Sequence, residues 1–352
     1  MKGVVLAGGT GSRLRPITFT MAKQLVPVAN KPIIFYGLED LAEAGISEVG
    51  IVISPETGGE VRTVVGDGSR FGQSIEWIVQ DEPLGLAHAL KTALPFVDGD
   101  DCLMYLGDNL VKDGVADVVR DFQAQKPNCQ IMLSPVENPS AFGVADLNED
   151  GSINRLVEKP TNPPSNLALV GVYLFDGSIA EAVNTIEPSA RGEFEITDAI
   201  QYLIESGRTV RASIVSNWWK DTGTKADLLH AQELLISELA EKIEGELVDT
   251  RVRGKVQVGA GSQLVDCDIT GPAIIGENVQ MSRTNIGPQT SIGDDCRLSD
   301  AAVERSIVLE GAEIHGWRIR DSLLGREAKL HGVAPPSYVE MTLGERSEIV
   351  GE

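Results

Sequence analysis

Only four cysteines occur in 352 residues: Cys102, Cys129, Cys267 and Cys296. They stand far apart with no C-x-x-C pair, which fits reduced, partly buried thiols better than a disulfide frame or a zinc site. No apolar run approaches the roughly 20 residues that span a bilayer, so no membrane contact is expected. Low-complexity tracts are also missing. The N-terminus enters a strand directly, with no signal peptide, and a cytoplasmic protein is the simplest expectation. Basic residues are scarce, 30 against 52 acidic, for a net charge of −22. A broad nucleic-acid surface needs basic patches, so nucleic acid is not an expected partner. Anionic substrates would meet a repulsive background field, which the few cations at the site must overcome. Magnesium would help.

What the chain does have begins at once. Val4, Val5 and Leu6 read as a buried strand, and Gly8-Gly9-Thr10-Gly11-Ser12-Arg13 follows it. Glycines let backbone N–H groups wrap a polyphosphate because no Cβ blocks the anion. Arg13 and Lys23 add positive charge, while Thr10 and Ser12 can donate further hydrogen bonds. This is neither a dinucleotide loop, because Leu14 occupies the third glycine position, nor a P-loop, since G-x-x-x-x-G-K-[ST] occurs nowhere. An ordinary strand-to-helix turn is the plain alternative.

Residues 1 to about 240 alternate strand-like and helix-like segments. Lys2–Ala7, Glu48–Ile53, Ser74–Gln80 and Cys102–Leu106 read as strands, with helices over Pro32–Ala44, near Gly59–Val65 and over Leu86–Leu94. Gly45 is a stop signal for the first of these helices. This order predicts an α/β fold, a doubly wound and mainly parallel sheet with ligands at the carboxyl ends of its strands. From about 120 the rhythm loosens into further strands that extend the sheet, and a helix over Leu228–Ile243 leads out. Beyond 250, aliphatic residues recur at six-residue steps, as in Ile286, Ile292 and Leu298. Such a period predicts a parallel β-helix of about four coils over Lys255–His331. Two domains are expected, 1–240 and 250–352.

Asp108 ends a buried strand, and Asp221 sits in Trp219-Lys220-Asp221-Thr222-Gly223. Two aspartates could hold one hard cation and leave positions for phosphate oxygens and water. Either alone fits a cap or turn equally well. Glu158 can accept from paired sugar hydroxyls, and Lys159 and Arg191 can neutralise a phosphate, although each could also be a surface ion-pair residue. Gly143 allows close backbone approach. Gln80 and Gly85 supply an amide and an open backbone suited to the edge of a pyrimidine. No Ser-His-Asp set occurs, and His88 and His230 read as helical residues without chemical duty.

Taken together these motifs resemble the nucleoside-triphosphate:sugar-1-phosphate nucleotidylyltransferases, and within them the long-form thymidylyl branch. The carriers are GGTGSRLRP at 8–16, KQLVPV at 23–28, GDGSRFG at 66–72, EPLGLAHA at 82–89, YLGDN at 105–109, FGVA at 142–145, VEKP at 157–160, RGEFEITDAI at 191–200 and WWKDTGT at 218–224. The resemblance covers nearly the whole chain. It implies a Rossmann-like catalytic domain, with a left-handed β-helix after it. Gly8, Gly9, Gly11, Ser12 and Arg13 would hold the triphosphate with Lys23 alongside, and Gln24 would lie near the nucleotide sugar. Gln80 and Gly85 would contact the base, and Asp108 and Asp221 would carry Mg²⁺. Gly143, Glu158 and Gly171 would line the hexose pocket, with Lys159 and Arg191 on its phosphate. Ala22 stands where the family usually has proline, so Lys23 is expected to be less rigidly held.

The implied reaction joins dTTP and glucose 1-phosphate; another nucleotide or hexose rests on only a few contacts. Acyl transfer in the β-helix, using His315 or His331, is a separate reading, and a noncatalytic sensor is a third. A homo-oligomer is expected, because exposed β-helix coils often pack against a second copy.

Overall fold

Val4–Ala7 and Val49–Ile53 carry no polar break, the pattern of strands buried on both faces. In the computed structural model, which describes residues 1–332 and 337–351, they form β1 (Lys2–Ala7) and β2 (Glu48–Ile53). These pair in parallel with each other, and with β3 (Ser74–Val79) and β4 (Cys102–Leu106) on either side. The short β5 (Asn109–Val111) follows at once. Five more strands complete or extend the main sheet: β6 (Cys129–Pro135), β7 (Gly143–Leu147), β8 (Ile153–Glu158), β9 (Leu167–Phe175) and β10 (Val210–Ile214). Last comes β11 (Trp219–Asp221), which pairs with β5 in a two-stranded sheet.

The sheet order is β8-β7-β9-β4-β1-β2-β3, with β6 on β9 and β10 on β6. The chain steps outward from β1 to β3 and then returns to β4 on the other side of β1. Strand order therefore reverses between β1 and β4, and a crevice for ligands opens at the carboxyl ends of those two strands. The β1–β4 half is parallel, whereas β9 runs antiparallel to β4, β6 and β7. The mainly parallel sheet expected from the sequence is thus a parallel core with a mixed extension.

Helices cover both faces. Val4, Leu6, Cys102 and Met104 share one core with Ala87, Leu90 and Ala93 of α1 (Leu86–Val97) and Ile196, Ala199 and Ile200 of α2 (Ile196–Glu205). Alternation along β4 sends Tyr105 to the opposite face, where a helix over Ile33–Glu43 brings Gly37 against its ring. That helix stops at Gly45, whose φ of +78° suits the left-handed position that ends helices.

Two compact units emerge, Met1–Gly9 with Ile33–Asp221, and Thr10–Pro32 with Thr222–Glu352. This division differs from the expected 1–240 and 250–352, because residues 10–32 group with the C-terminal part. In the second unit, α3 (Lys225–Ile236) starts with a capping box between Thr224 and Asp227. It ends earlier than the helix expected to Ile243, and Lys242–Ile243 is already a strand. Three parallel sheets follow, of seven, seven and five short strands among the described residues. Register advances 17 residues per coil at first, as Val256, Ala273 and Thr290 pair in succession, and 16 later, as Ile292, Val308 and Leu324 do. Val258, Ile275, Ile292, Val308 and Leu324 stack inside, as do Leu264, Met281, Leu298, Ile314 and Leu330. The three-sided coil fits a left-handed β-helix and runs from Lys242 to Val350, longer than the four coils expected over Lys255–His331. All four cysteines are free and buried. No helix among the described residues is long and apolar enough to cross a membrane.

Candidate active site

Within the first unit the reversal between β1 and β4 assembles the chemistry. Leu6 pairs with Leu106, and the Gly107 N–H donates to the Leu6 carbonyl at 2.9 Å. The β1 exit at Gly8 and the β4 exit at Asp108 are therefore neighbours. One residue on, β5 pairs antiparallel with β11 and sets Asp221 directly across from Asn109. The two aspartates, 113 positions apart in sequence by their numbering, come to adjacent register positions. Asn109 fastens both sides: its Nδ2 donates to Asp108 Oδ1 at 2.9 Å, and its Oδ1 accepts from Trp219 Nε1 at 2.5 Å. Asn109 and Trp219 are buried, and Phe142 meets the Trp219 ring edge-on at 5.4 Å. Among the described residues there is no group of three or more His, Cys, Asp or Glu able to hold a metal. Two carboxylates fit a cation that keeps most of its positions for phosphate oxygens and water, as magnesium does, and do not fit a zinc cage.

A second corner holds Gln80, Gly85 and His88. Gly85 has φ +108°, and a Cβ there would lie 2.5 Å from the Phe194 carbonyl oxygen, so only glycine fits. Gln80 is buried; its Nε2 lies 3.3 Å from the Gly85 carbonyl and 2.9 Å from His88 Nδ1. Its Oε1 lies 3.6 Å from where a Cβ on Gly8 would stand. His88 lies on the helix Leu86–Val97, as read from the sequence, and its ring is bonded to Gln80 and stacked on Phe194.

The third group surrounds Glu158. Gly143 lets it come close, since a Cβ there would lie 3.0 Å from Glu158 Oε2 and 2.8 Å from Thr197 Cγ2. Gly171, at φ +85°, would place a Cβ 2.9 Å from Leu106 and 3.1 Å from Asn109 Nδ2, next to the residue bonded to Asp108. Lys159 Nζ lies 3.7 Å from Glu158. Arg191 reaches three carboxylates, Glu158 and Glu193 at 3.2 Å and Glu195 at 3.4 Å. Burial raises the Glu195 carboxyl above the usual range, and burial beside Glu195 does the same to Asp198.

Gly11, Ser12, Arg13, Lys23 and Gln24 belong to the second unit. Gly11 has φ +60°, and a Cβ on it would meet Lys23 Cβ and Thr18 Cγ2 at 2.9 Å. Its carbonyl accepts from Thr18 Oγ1 at 2.7 Å. Ser12 opens a short 3-10 turn, Ser12–Leu14. The Arg13 guanidinium lies on Gly223, 2.7 Å from where a Cβ would be. Lys23 is buried in a 3-10 turn closed by Leu25 N–H to the Ala22 carbonyl at 2.9 Å. Ala22 has φ −61° and ψ 136°, the range proline itself would impose, so the backbone leading into Lys23 has the shape that proline would give it. Gln24 is buried, and its Oε1 has no hydrogen-bond partner among the described residues. Such an acceptor fits a ligand donor.

Sequence reasoning missed His88, Asn109, Trp219 and Glu195. Only the Asn after Asp108 and the paired tryptophans gave any signal, since strand pairing over a hundred residues leaves no local pattern.

The nucleotidyl transferase family model matches residues 2–238. The chain is 48% identical over 351 residues to a glucose-1-phosphate thymidylyltransferase of Streptomyces griseus, covering 99% of this chain and 98% of that one. It is 47% identical to a low-salt glycan biosynthesis nucleotidyltransferase of Haloferax volcanii, over 99% of both. A solved UDP-glucose pyrophosphorylase complexed with UDP-glucose superimposes with a TM-score of 0.61 at 25% identity, covering 68% of this chain and 99% of that one. With the family model spanning the whole main sheet and its crevice, the chain belongs to the nucleotidyl transferase family and is a nucleotidyltransferase.

Proposed function

We propose that this enzyme transfers dTMP from dTTP to glucose 1-phosphate, giving dTDP-glucose and pyrophosphate. The observation that carries the reading is Asp221 across from Asn109, next to Asp108, at the strand-order reversal. The relatives' names support the nucleotide and the sugar.

A phosphate oxygen of the sugar is anionic at neutral pH and needs no general base. It attacks the α-phosphorus of dTTP; the bond from that phosphorus to the bridging oxygen breaks, and pyrophosphate leaves with the electron pair. The task is therefore to bring polyanions together and to support developing charge. Gly8, Gly9, Gly11 and Ser12 are assigned to the triphosphate, with Arg13 and Lys23 as its cations. Gln24 is assigned to the nucleotide sugar, and Gln80 and Gly85 to the base. Glu158, between Gly143 and Thr197, is assigned with Gly171 to the hexose hydroxyls, and Lys159 and Arg191 to the sugar phosphate. Arg191 must leave part of its carboxylate shell to do so. Asp108 and Asp221 would hold Mg²⁺, which supplies charge neutralisation at the phosphate oxygens when bound.

The test is pyrophosphate release by the pure protein with glucose 1-phosphate and each of dTTP, UTP, ATP and GTP. The fastest turnover is expected with dTTP. Preference for another nucleotide, or for another hexose 1-phosphate, would move the assignment within the same chemistry, and no turnover with any pair would refute it.

A further inference from the structure

We propose that His88 sets base selectivity by locking the Gln80 side-chain amide in one orientation; this rests on the assignment of Gln80 to the nucleobase. A backbone carbonyl only accepts, so the Gly85 oxygen 3.3 Å away draws the amide nitrogen, not the amide oxygen, toward it. The remaining hydrogen on Nε2 goes to His88 Nδ1 at 2.9 Å. Nδ1 must then accept with its lone pair, which puts the ring proton on Nε2 of a neutral imidazole. Both amide hydrogens are used. Oε1 is left as an acceptor without a partner among the described residues, close to Gly8 at the exit of β1.

His88 is itself held in place. Its ring stacks on Phe194 with centroids 6.2 Å apart and planes 28° from parallel. Phe194 donates its N–H to the Leu84 carbonyl at 2.7 Å and accepts from the Ala87 N–H at 3.0 Å. The segment that carries Gly85 and His88 is thus clamped on both sides of the glycine.

A fixed carbonyl oxygen at the base edge favours a base that offers an N–H there. Thymine and uracil present an imide N3–H, whereas cytosine presents a lone pair at N3 and is repelled. Without His88, one amide hydrogen loses its acceptor and the flipped amide, which suits cytosine, becomes accessible. His88 is a positioning residue that acts through Gln80.

The experiment measures kcat/KM for dTTP and dCTP with the wild type, His88→Leu, His88→Asn and Gln80→Leu. His88→Leu should lower the dTTP-to-dCTP ratio about tenfold, chiefly through KM, the effect of one lost orienting hydrogen bond. His88→Asn, whose side-chain oxygen can replace the Nδ1 acceptor, should recover most of it. A purely structural role for His88 would scale both nucleotides alike, and an unchanged ratio in His88→Leu overturns the proposal. So does equal loss in His88→Leu and His88→Asn. If Gln80→Leu keeps the ratio, the assignment of Gln80 to the base has failed. If Gln80→Leu collapses the ratio and His88→Leu does not, only the role of His88 has failed.

Discussion

Asp221 stands opposite Asn109 in a three-residue antiparallel pair, and the amide of Asn109 holds Asp108 on one side and the Trp219 indole on the other. One asparagine thus bonds one carboxylate through its amide and pairs, as a strand residue, with the position that carries the other. Replacing either acid by its isosteric amide keeps this frame and removes a charge. Asp108→Asn and Asp221→Asn should each lower kcat by about 10²–10³ and raise the Mg²⁺ concentration needed for half-maximal rate. Circular dichroism should stay at wild type. Undiminished rates in both variants would refute the metal assignment, and chelation by EDTA should silence the wild type reversibly.

Gly11 offers a separate test in the second unit. Alanine there faces both a left-handed backbone and contacts at 2.9 Å with Lys23 and Thr18. The strain should cost about 1–3 kcal/mol of stability. Displacing Lys23 should also lower kcat/KM by about 10–100-fold, because positioning errors of this size are expensive in phosphoryl-type transfer. Urea denaturation and steady-state kinetics read the two effects independently. A fully active, fully stable Gly11→Ala enzyme would show that Lys23 does not depend on this contact.

Much of this was legible in the residues. The uninterrupted Val4–Ala7 and Cys102–Leu106 runs announced buried parallel strands, and the glycines after the first run announced a turn open to an anion. The aliphatic six-residue period announced the β-helix. Its length was underestimated because the first coils place Leu247 and Val252 at only partly buried positions, and the period is weak where burial is incomplete. The grouping of residues 10–32 with the C-terminal part was not legible at all. It depends on contacts such as Asn30 Nδ2 to the Ile292 carbonyl at 2.7 Å, which no local pattern encodes. The bond between His88 and Gln80 was not legible for the same reason, since it joins a helix to the end of a strand eight residues earlier.

Gln232 bears on how the second unit holds together. It is fully buried on α3; its Nε2 donates to the carbonyls of Gln289 at 2.9 Å and Ser306 at 3.0 Å, and its Oε1 accepts from Ser291 Oγ at 2.5 Å. Gln232→Ala would take away the partner of the Gln289 carbonyl and of the Ser291 hydroxyl, while the Ser306 carbonyl keeps the Ser291 N–H at 3.0 Å. A loss of about 2–4 kcal/mol is expected, since buried partners without hydrogen bonds cost more than the bond itself contributes. Truncation near residue 250 removes all three partners and should destabilise the rest further. A Gln232→Ala protein with the wild-type urea midpoint would contradict this.

Glu195 gives a pH-dependent prediction with a defined sign. Its carboxylate is buried, accepts from Ser189 Oγ at 2.9 Å and shares Arg191 with Glu158 and Glu193. Burial is the largest influence and raises its pKa; the Ser189 bond and Arg191 oppose this only in part. The folded state therefore keeps a proton that the unfolded chain has already lost. Where the folded state binds more protons, stability falls as pH rises, so the penalty is absent below the ordinary glutamate range near 4.3 and complete above the raised value. Glu195→Gln retains the acceptor for Ser189 and cannot ionise, and Arg191 keeps two carboxylates. Calorimetry should find the variant with a higher Tm than wild type at pH 8 and with the difference closing toward pH 4. Asp198, whose raised pKa owes part of its shift to Glu195, should return toward its usual range in the variant. A Tm gain at pH 4 that disappears at pH 8 would reverse the sign and show that the pairing with Arg191 outweighs burial.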